Sequence, residues 1–190
     1  MKIYTRDGDD GTTGLYFGGR ASKSSDQIDV NGEVDEAQST LGWARSLTEP
    51  GSRLNELLIS VERDLWVLMA EVATAPANRR KLTAGTSLVT PEMVSALETQ
   101  IDELNTRFDM PTDFVVPGQN RVSALLDVAR TVVRRAERLV VSVMSDQDSQ
   151  VGPYLNRLSD LLWTMARWQE GEHLLSRATG PTGVEKSKER

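Results

Sequence analysis

The sequence has no cysteine and a single histidine, His173. Without thiols there is no disulfide framework, no thiolate zinc or iron–sulfur centre and no cysteine nucleophile, and the redox compartment is left open. One imidazole excludes a multi-histidine metal site, and any His-dependent triad must run through residue 173. No apolar run approaches the ~18 residues of a membrane span. The first residues, Met1-Lys2-Ile3-Tyr4-Thr5-Arg6-Asp7, are not followed by the apolar stretch of an export signal. The expectation is a soluble, unexported, cytoplasmic protein that engages no membrane. Net positive charge is also missing. The 22 Lys and Arg against 28 Asp and Glu leave −6, which argues against a general nucleic-acid binder. An anionic ligand must therefore be met by a local basic cluster.

The 190 residues suffice for one domain with one core. Most of them carry one pattern. Val30, Val34, Ala37, Leu41 and Ala44 space as 4-3-4-3, and comparable seams run through Leu54–Val72, Val94–Phe108, Leu125–Val143 and Leu155–Gln169. That period predicts an all-α chain of five amphipathic helices near 30–46, 52–74, 90–108, 120–144 and 153–177. Pro50-Gly51, Thr90-Pro91, Pro117-Gly118 and Gly152-Pro153 punctuate them. Phe114-Val115-Val116 reads as a short extended piece, and Ala75–Val89, with Arg79, Arg80 and Lys81, as a solvated basic loop. Residues 1–177 are expected to form the domain, with 178–190 a flexible tail of Gly, Pro, Lys and Glu. The first 29 residues stand apart. Five glycines among Thr12, Thr13 and charged positions resist helix and strand, and predict a loop that is ordered or becomes ordered on a ligand.

Three places can carry chemistry. On the fourth helix Arg130, Arg134 and Arg138 recur at i, i+4, i+8, roughly 150° from that helix's apolar face. A solvated basic face is the ordinary meaning of such a stripe. Two features favour a ligand: the residues are all arginine, whose planar fork grips phosphate oxygens, and apolar Val141 shares their face. On the fifth helix Asn156, Asp160, Trp163 and Arg167 lie opposite the core, which suggests a second buried surface at an interface or pocket. The glycine-rich start offers free backbone amides, threonine hydroxyls and Lys23, as a triphosphate requires, with acidic residues able to hold magnesium. It is not a P-loop, because the Gly-Lys-Ser/Thr ending is absent.

Taken in order, Tyr4-Thr5-Arg6-Asp7-Gly8-Asp9-Asp10-Gly11-Thr12-Thr13-Gly14-Leu15, Lys23, Gly32-Glu33-Val34-Asp35-Glu36, Phe114-Val115-Val116-Pro117-Gly118, Arg134-Arg135-Ala136-Glu137-Arg138 and Tyr154-Leu155-Asn156-Arg157-Leu158-Ser159-Asp160 resemble the PduO-type ATP:corrinoid adenosyltransferases, from about residue 3 to about 168. The resemblance implies a ferritin-like five-helix bundle behind an ATP-binding segment, assembled as a homotrimer with active sites between subunits. It implies transfer of the 5′-deoxyadenosyl group of ATP to the cobalt of cob(I)alamin, with Mg²⁺, giving adenosylcobalamin and triphosphate. Reduced cobalt is then the nucleophile, so the protein supplies positioning and electrostatics rather than a triad.

By the same resemblance Thr5, Arg6, Asp7, Gly8, Thr12, Thr13, Gly14 and Lys23 line the ATP segment. Arg134, Arg135, Glu137, Arg138 and Asn156 reach ATP from the facing subunit, Glu137 serving its magnesium ion. Lys23, Arg134 and Arg138 take the catalytic part by stabilising the leaving triphosphate. Asp35 pairs with Arg134 across subunits, and Phe114 lines the corrinoid pocket. There it keeps water and the lower base off cobalt, favouring four-coordinate cob(II)alamin as the reducible precursor. A reductase and an adenosylcobalamin-dependent acceptor enzyme are the implied partners. Asp7, Gln119 and Trp163 depart from the family's usual residues. A rival reading is a non-catalytic ATP-sensing or partner-binding helical bundle, against which the intact leaving-group clamp counts.

Overall fold

The structure is a computed structural model that describes residues 3–144 and 148–177 and the backbone of 184–185. Five α-helices account for most of it: α1 Asp26–Ser46, α2 Arg53–Val72, α3 Pro91–Asn105, α4 Arg121–Met144 and α5 Val151–Glu170. Side-by-side packing runs α2, α1, α4, α5, α3. The apolar seams of the sequence meet in one core, from Val30, Val34 and Leu41 through Leu58 and Leu65 to Leu126, Val133, Leu158 and Leu162. None of the described helices is long and apolar enough to cross a membrane.

Local chemistry sets the helix ends. Ser52 and Thr90 cap α2 and α3 by accepting from the backbone amides of Asn55 and Met93, and Pro91 stands at the first helical position. Asn120 caps α4, its Oδ1 accepting from the Ser123 amide at 2.9 Å. The helix α1 begins at Asp26, four residues before the periodicity called for, because Asp26 and Asp29 favour the positive end of the helix dipole. The helix α5 stops at Glu170 rather than near 177. Gly171 takes φ 72°, a left-handed turn that redirects the chain into an extended segment.

Two further expectations are corrected. The N-terminal region is a small hairpin and not only a loop. Its strands β1 Thr12–Gly14 and β2 Arg20–Ser22 pair antiparallel, Thr13 opposite Ala21. The connection after α2 contains a 3-10 turn at Pro76–Lys81, and Arg79 faces inward. Its target is Glu71, a fully buried carboxylate. Glu71 accepts from Arg79 Nη2 at 2.8 Å, Ser149 Oγ at 2.6 Å and the Val89 amide at 2.7 Å. One side chain thus ties the connections on either side of the bundle to the end of α2. Glu71→Ala is expected to destabilise the fold by about 3–5 kcal/mol, since it removes the countercharge of a largely buried guanidinium and leaves it the Asp148 carbonyl at 3.1 Å. Urea denaturation checks this, and a loss below about 1 kcal/mol contradicts it.

The segment Phe114–Val116 is extended, as its sequence suggests. The Val116 amide donates to the Leu174 carbonyl at 2.7 Å and the Ser176 amide to the Phe114 carbonyl at 2.8 Å. Beyond it, β3 His173–Leu174 pairs with β4 Val184–Glu185. The remainder of the expected flexible tail, 178–183 and 186–190, lies outside the described residues.

Candidate active site

The first charged cluster is the N-terminal hairpin. Arg20 organises it: Nε donates to Thr12 Oγ1 at 2.8 Å, and Nη2 reaches the Asp7 carbonyl and Asp10 Oδ1. Thr12 in turn donates its hydroxyl to Asp10 Oδ1 at 2.7 Å and its amide to the same oxygen at 2.9 Å. These two bonds, with the Arg20 charge behind them, hold the Asp10 carboxyl below its ordinary value. Lys23 Nζ donates to the Gly8 carbonyl at 2.7 Å and closes the loop on itself. Thr5 Oγ1 accepts from the Asp7 amide at 3.3 Å, and Arg6, at φ 67°, lies over the Tyr4 ring. Gly8 is required by space, because a Cβ there would stand 2.9 Å from the Thr12 carbonyl oxygen.

The hairpin is fixed to the bundle from below. The Tyr16 amide donates to the Ala73 carbonyl at 3.0 Å, and Asn78 Nδ2 donates to the Phe17 and Gly18 carbonyls. Its outer face, with Thr5, Arg6, Asp7, Gly14 and Lys23, is exposed, while Gly8, Thr12 and Thr13 are half-buried.

The second cluster lies on α4 and α5. Arg134 and Arg138 are exposed, and Val141 on the same face is 67% exposed. Glu137 Oε1 accepts from Asn156 Nδ2 at 2.8 Å, and its Oε2 lies 4.0 Å from Arg134 Nη1. Arg138 Nη1 donates to the Arg134 carbonyl at 3.0 Å. The structure therefore brings together Arg134, Glu137, Arg138 and Asn156, the set the resemblance implies. Arg130, the third member of the stripe, and Arg135, added by the resemblance, turn elsewhere. Arg130 turns to Asp127 at 3.1 Å, and Arg135 turns to Glu33 and Glu36 of α1. Arg135 thus bridges two helices, away from the cluster for which the resemblance proposed it.

The side-chain partners of Arg20 and Lys23 lie within residues 7–12, and those of Glu137 and Asn156 lie within α4 and α5. Each of the two clusters is thus held by its own neighbouring residues. Asp35 is exposed on α1. Phe114 is 77% exposed, a large apolar ring facing outward from a segment whose backbone is pinned. No group of three or more His, Asp or Glu able to hold a metal occurs among the described residues. Glu137 alone would serve a Mg²⁺ whose remaining ligands are phosphate oxygens and water, which is how that ion is usually held.

Sequence reasoning missed several contributors. Arg20 carried no motif, although the Thr12-Thr13 pair followed by Gly18-Gly19 is a hairpin signal. Tyr154 is fully buried and donates its hydroxyl to Asp64 Oδ2 at 3.0 Å. Burial, and then the Asp64 charge, push its phenol well above the usual range. Arg167, expected on a second buried surface at an interface or pocket, is 2% exposed within the chain and pairs with Asp127 at 2.5 Å, its guanidinium 5.6 Å from the Trp163 ring.

Known proteins share this chain's sequence pattern and its fold. The family model for cobalamin adenosyltransferases matches residues 3–169. A corrinoid adenosyltransferase of Citrobacter freundii is 38% identical over 172 residues, covering 89% of this chain and 95% of the relative. That of Bacillus subtilis is 36% identical over 172 residues, covering 88% and 86%. Among solved structures, a variant of the PduO-type ATP:corrinoid adenosyltransferase from Lactobacillus reuteri, complexed with cobalamin and ATP, superposes with a TM-score of 0.82. It is 28% identical, and the match covers 93% of this chain and 99% of that one. The chain belongs to the cobalamin adenosyltransferase family.

Proposed function

We propose that the protein transfers the 5′-deoxyadenosyl group of ATP to the cobalt of a reduced corrinoid, giving adenosylcobalamin and triphosphate. The adenosyltransferase activity follows from family membership. The observation that carries the residue assignment is the grouping of Arg134, Glu137, Arg138 and Asn156 on an exposed face of α4 and α5.

Bond formation at C5′ places growing negative charge on the departing triphosphate. Two arginines and a lysine aimed at that charge lower the barrier without joining the covalent chemistry. Asn156 orients Glu137, and Glu137 is the carboxylate to which a phosphate-bound Mg²⁺ is assigned. The hairpin supplies Lys23 and the Gly8–Gly14 backbone around the phosphates, with Thr5, Arg6, Asp7, Thr12 and Thr13 beside them. The complete site, hairpin and α4–α5 face together, is assigned to the junction of two copies in a homotrimer, as the family resemblance implies. There Arg134 meets the hairpin of its neighbour, and exposed Asp35 is the neighbour's partner for Arg134. Phe114 lies against the lower face of the corrin, where an apolar ring excludes water from cobalt.

Gly8→Ala tests the hairpin's part. Added bulk of this kind typically costs about 1–3 kcal/mol, and here it falls on the loop rather than the bundle. The expected result is a KM for ATP raised about tenfold or more, with the corrinoid KM and the thermal midpoint little changed. An unaltered ATP KM contradicts the assignment.

A further inference from the structure

We propose that His173, together with Glu170, Arg167 and Asp127, is a buried positioning network that sets the placement of the Asp109–Val116 segment, and with it Phe114. The inference rests on the assignment of Phe114 to the corrin.

The network begins where α5 ends. Arg167 Nη2 donates to Asp127 Oδ2 of α4 at 2.5 Å and to Glu170 Oε1 at 2.9 Å. Its Nε is 2.7 Å from Glu170 Oε2 but outside hydrogen-bond geometry, so that approach is Coulombic. Glu170 Oε2 also faces His173 Nδ1 at 3.3 Å, and the other ring nitrogen, Nε2, lies 3.2 Å from the Asp109 carbonyl. Asp127 is satisfied on its far side by Arg130. The carboxylates and arginine at the centre are almost fully shielded from solvent, at 7% for Asp127, 0% for Glu170 and 2% for Arg167.

Geometry gives this chain of contacts a destination. Asp109 opens the segment that leads to Phe114, and His173 opens the segment that pairs with it. The pairing follows within a few residues, through Val116 to Leu174 and Ser176 to Phe114. One imidazole therefore ties the two segments together at their common base. Asn120 Nδ2, donating to the Gln169 carbonyl at 2.7 Å, closes the far end of the same loop against α5. An apolar cluster of equal volume would serve stability as well or better. Directional bonds to a backbone carbonyl instead select one placement of the segment. None of these side chains touches Arg134, Arg138, Lys23 or Glu137, so the network answers to the Phe114 side of the site alone.

The test compares His173→Phe, which keeps a ring against Phe108 and removes both nitrogens, with His173→Gln, which retains an amide donor for the Asp109 carbonyl. In the ligand-free protein, His173→Phe is expected to accelerate hydrogen exchange at the Val116 and Ser176 amides about tenfold, the worth of one buried hydrogen bond. Amides of α2 and α4 stay at wild-type rates. In steady-state kinetics the corrinoid KM rises about tenfold while the ATP KM stays within about twofold. His173→Gln restores most of both. Asp127→Asn, read at the same two amides, keeps the test decisive if His173→Phe does not fold. Unchanged exchange at Val116 overturns the proposal, as does accelerated exchange with an unchanged corrinoid KM, or an equal rise in both KM values. If the wild-type protein fails to form adenosylcobalamin at all, the assignment of Phe114 to the corrin falls. The exchange data still show whether His173 holds the segment.

Discussion

Arg134→Ala is expected to lower kcat by about 10²–10³ or more while leaving the corrinoid KM close to wild type. The magnitude is that of removing one preorganised donor from a site where charge develops in the transition state. Arg134 is exposed and contacts Glu137 only at 4.0 Å, so its loss removes little that holds the bundle together. Arg134→Lys keeps the charge and loses the two-pronged fork, and is expected to recover only part of the rate. The contrast with its neighbour is the sharper check. Arg135 is engaged by Glu33 and Glu36, and exposed pairs of this kind, screened by solvent, contribute little to stability. Arg135→Ala should therefore shift the denaturation midpoint slightly and leave kcat within a few-fold. Steady-state kinetics of the two variants side by side decides the matter: equal rate losses, or a near-normal release of triphosphate by Arg134→Ala, would sink the clamp.

Phe114→Ala is expected to act on the other substrate. The ring is 77% exposed within a single chain, so truncating it opens no cavity in the core and should cost little stability. Its assigned work is to keep water and the lower base from cobalt, which favours the four-coordinate cob(II)alamin that accepts an electron more readily. The variant should bind ATP with an affinity within about twofold of wild type, turn over at least about tenfold more slowly, and show a smaller four-coordinate fraction. The absorption spectrum of cob(II)alamin with the protein and ATP reads that fraction directly. A spectrum unchanged from wild type would mean that Phe114 does not face cobalt.

The bundle was legible because helix period survives in the choice of buried residues. Val30, Val34, Ala37, Leu41 and Ala44 had to repeat on one face to be buried, and each is buried. The helix starts after Pro50-Gly51 and at Thr90-Pro91 were legible for an equally local reason, the breaks that proline and glycine put in the pattern. The end of α5 was not. Residues 171–177 continue without a proline, and only the left-handed Gly171 and the pairing of 174–176 with 114–116 show why the helix yields to an extended strand. The hairpin was hidden for the opposite reason: its glycines suggested freedom, while long-range bonds from Arg20 and Asn78 restrict it.

At the site, Arg134 and Arg138 could be grouped from spacing, because i, i+4 neighbours share a helix face wherever the helix packs, whereas Asn156 on α5 was joined to them only through the family resemblance. Arg130, Arg135 and Arg167 could not be sorted from them by spacing. Arg135 and Arg167 turn to carboxylates on other helices, Glu33, Glu36 and Asp127, that are far away in sequence, and Arg130 turns to Asp127 one turn earlier on its own helix. Glu71 is not legible in the sequence because nothing local marks a carboxylate whose partners, Arg79, Val89 and Ser149, lie 8, 18 and 78 residues away.

The central claim is that two clusters on separate parts of this chain, the Lys23 hairpin and the Arg134 face, act together on one ATP while cobalt performs the attack. Its most direct test is anaerobic incubation of the wild-type protein with cob(I)alamin and Mg-ATP. Adenosylcobalamin is followed by its absorbance and inorganic triphosphate is assayed in parallel. The expected result is equimolar adenosylcobalamin and triphosphate, formed at a rate that Arg134→Ala and Lys23→Ala each reduce, and partly restored when the two inactive variants are mixed and allowed to reassemble. Tight ATP binding with no product would contradict the account and favour an ATP-sensing bundle.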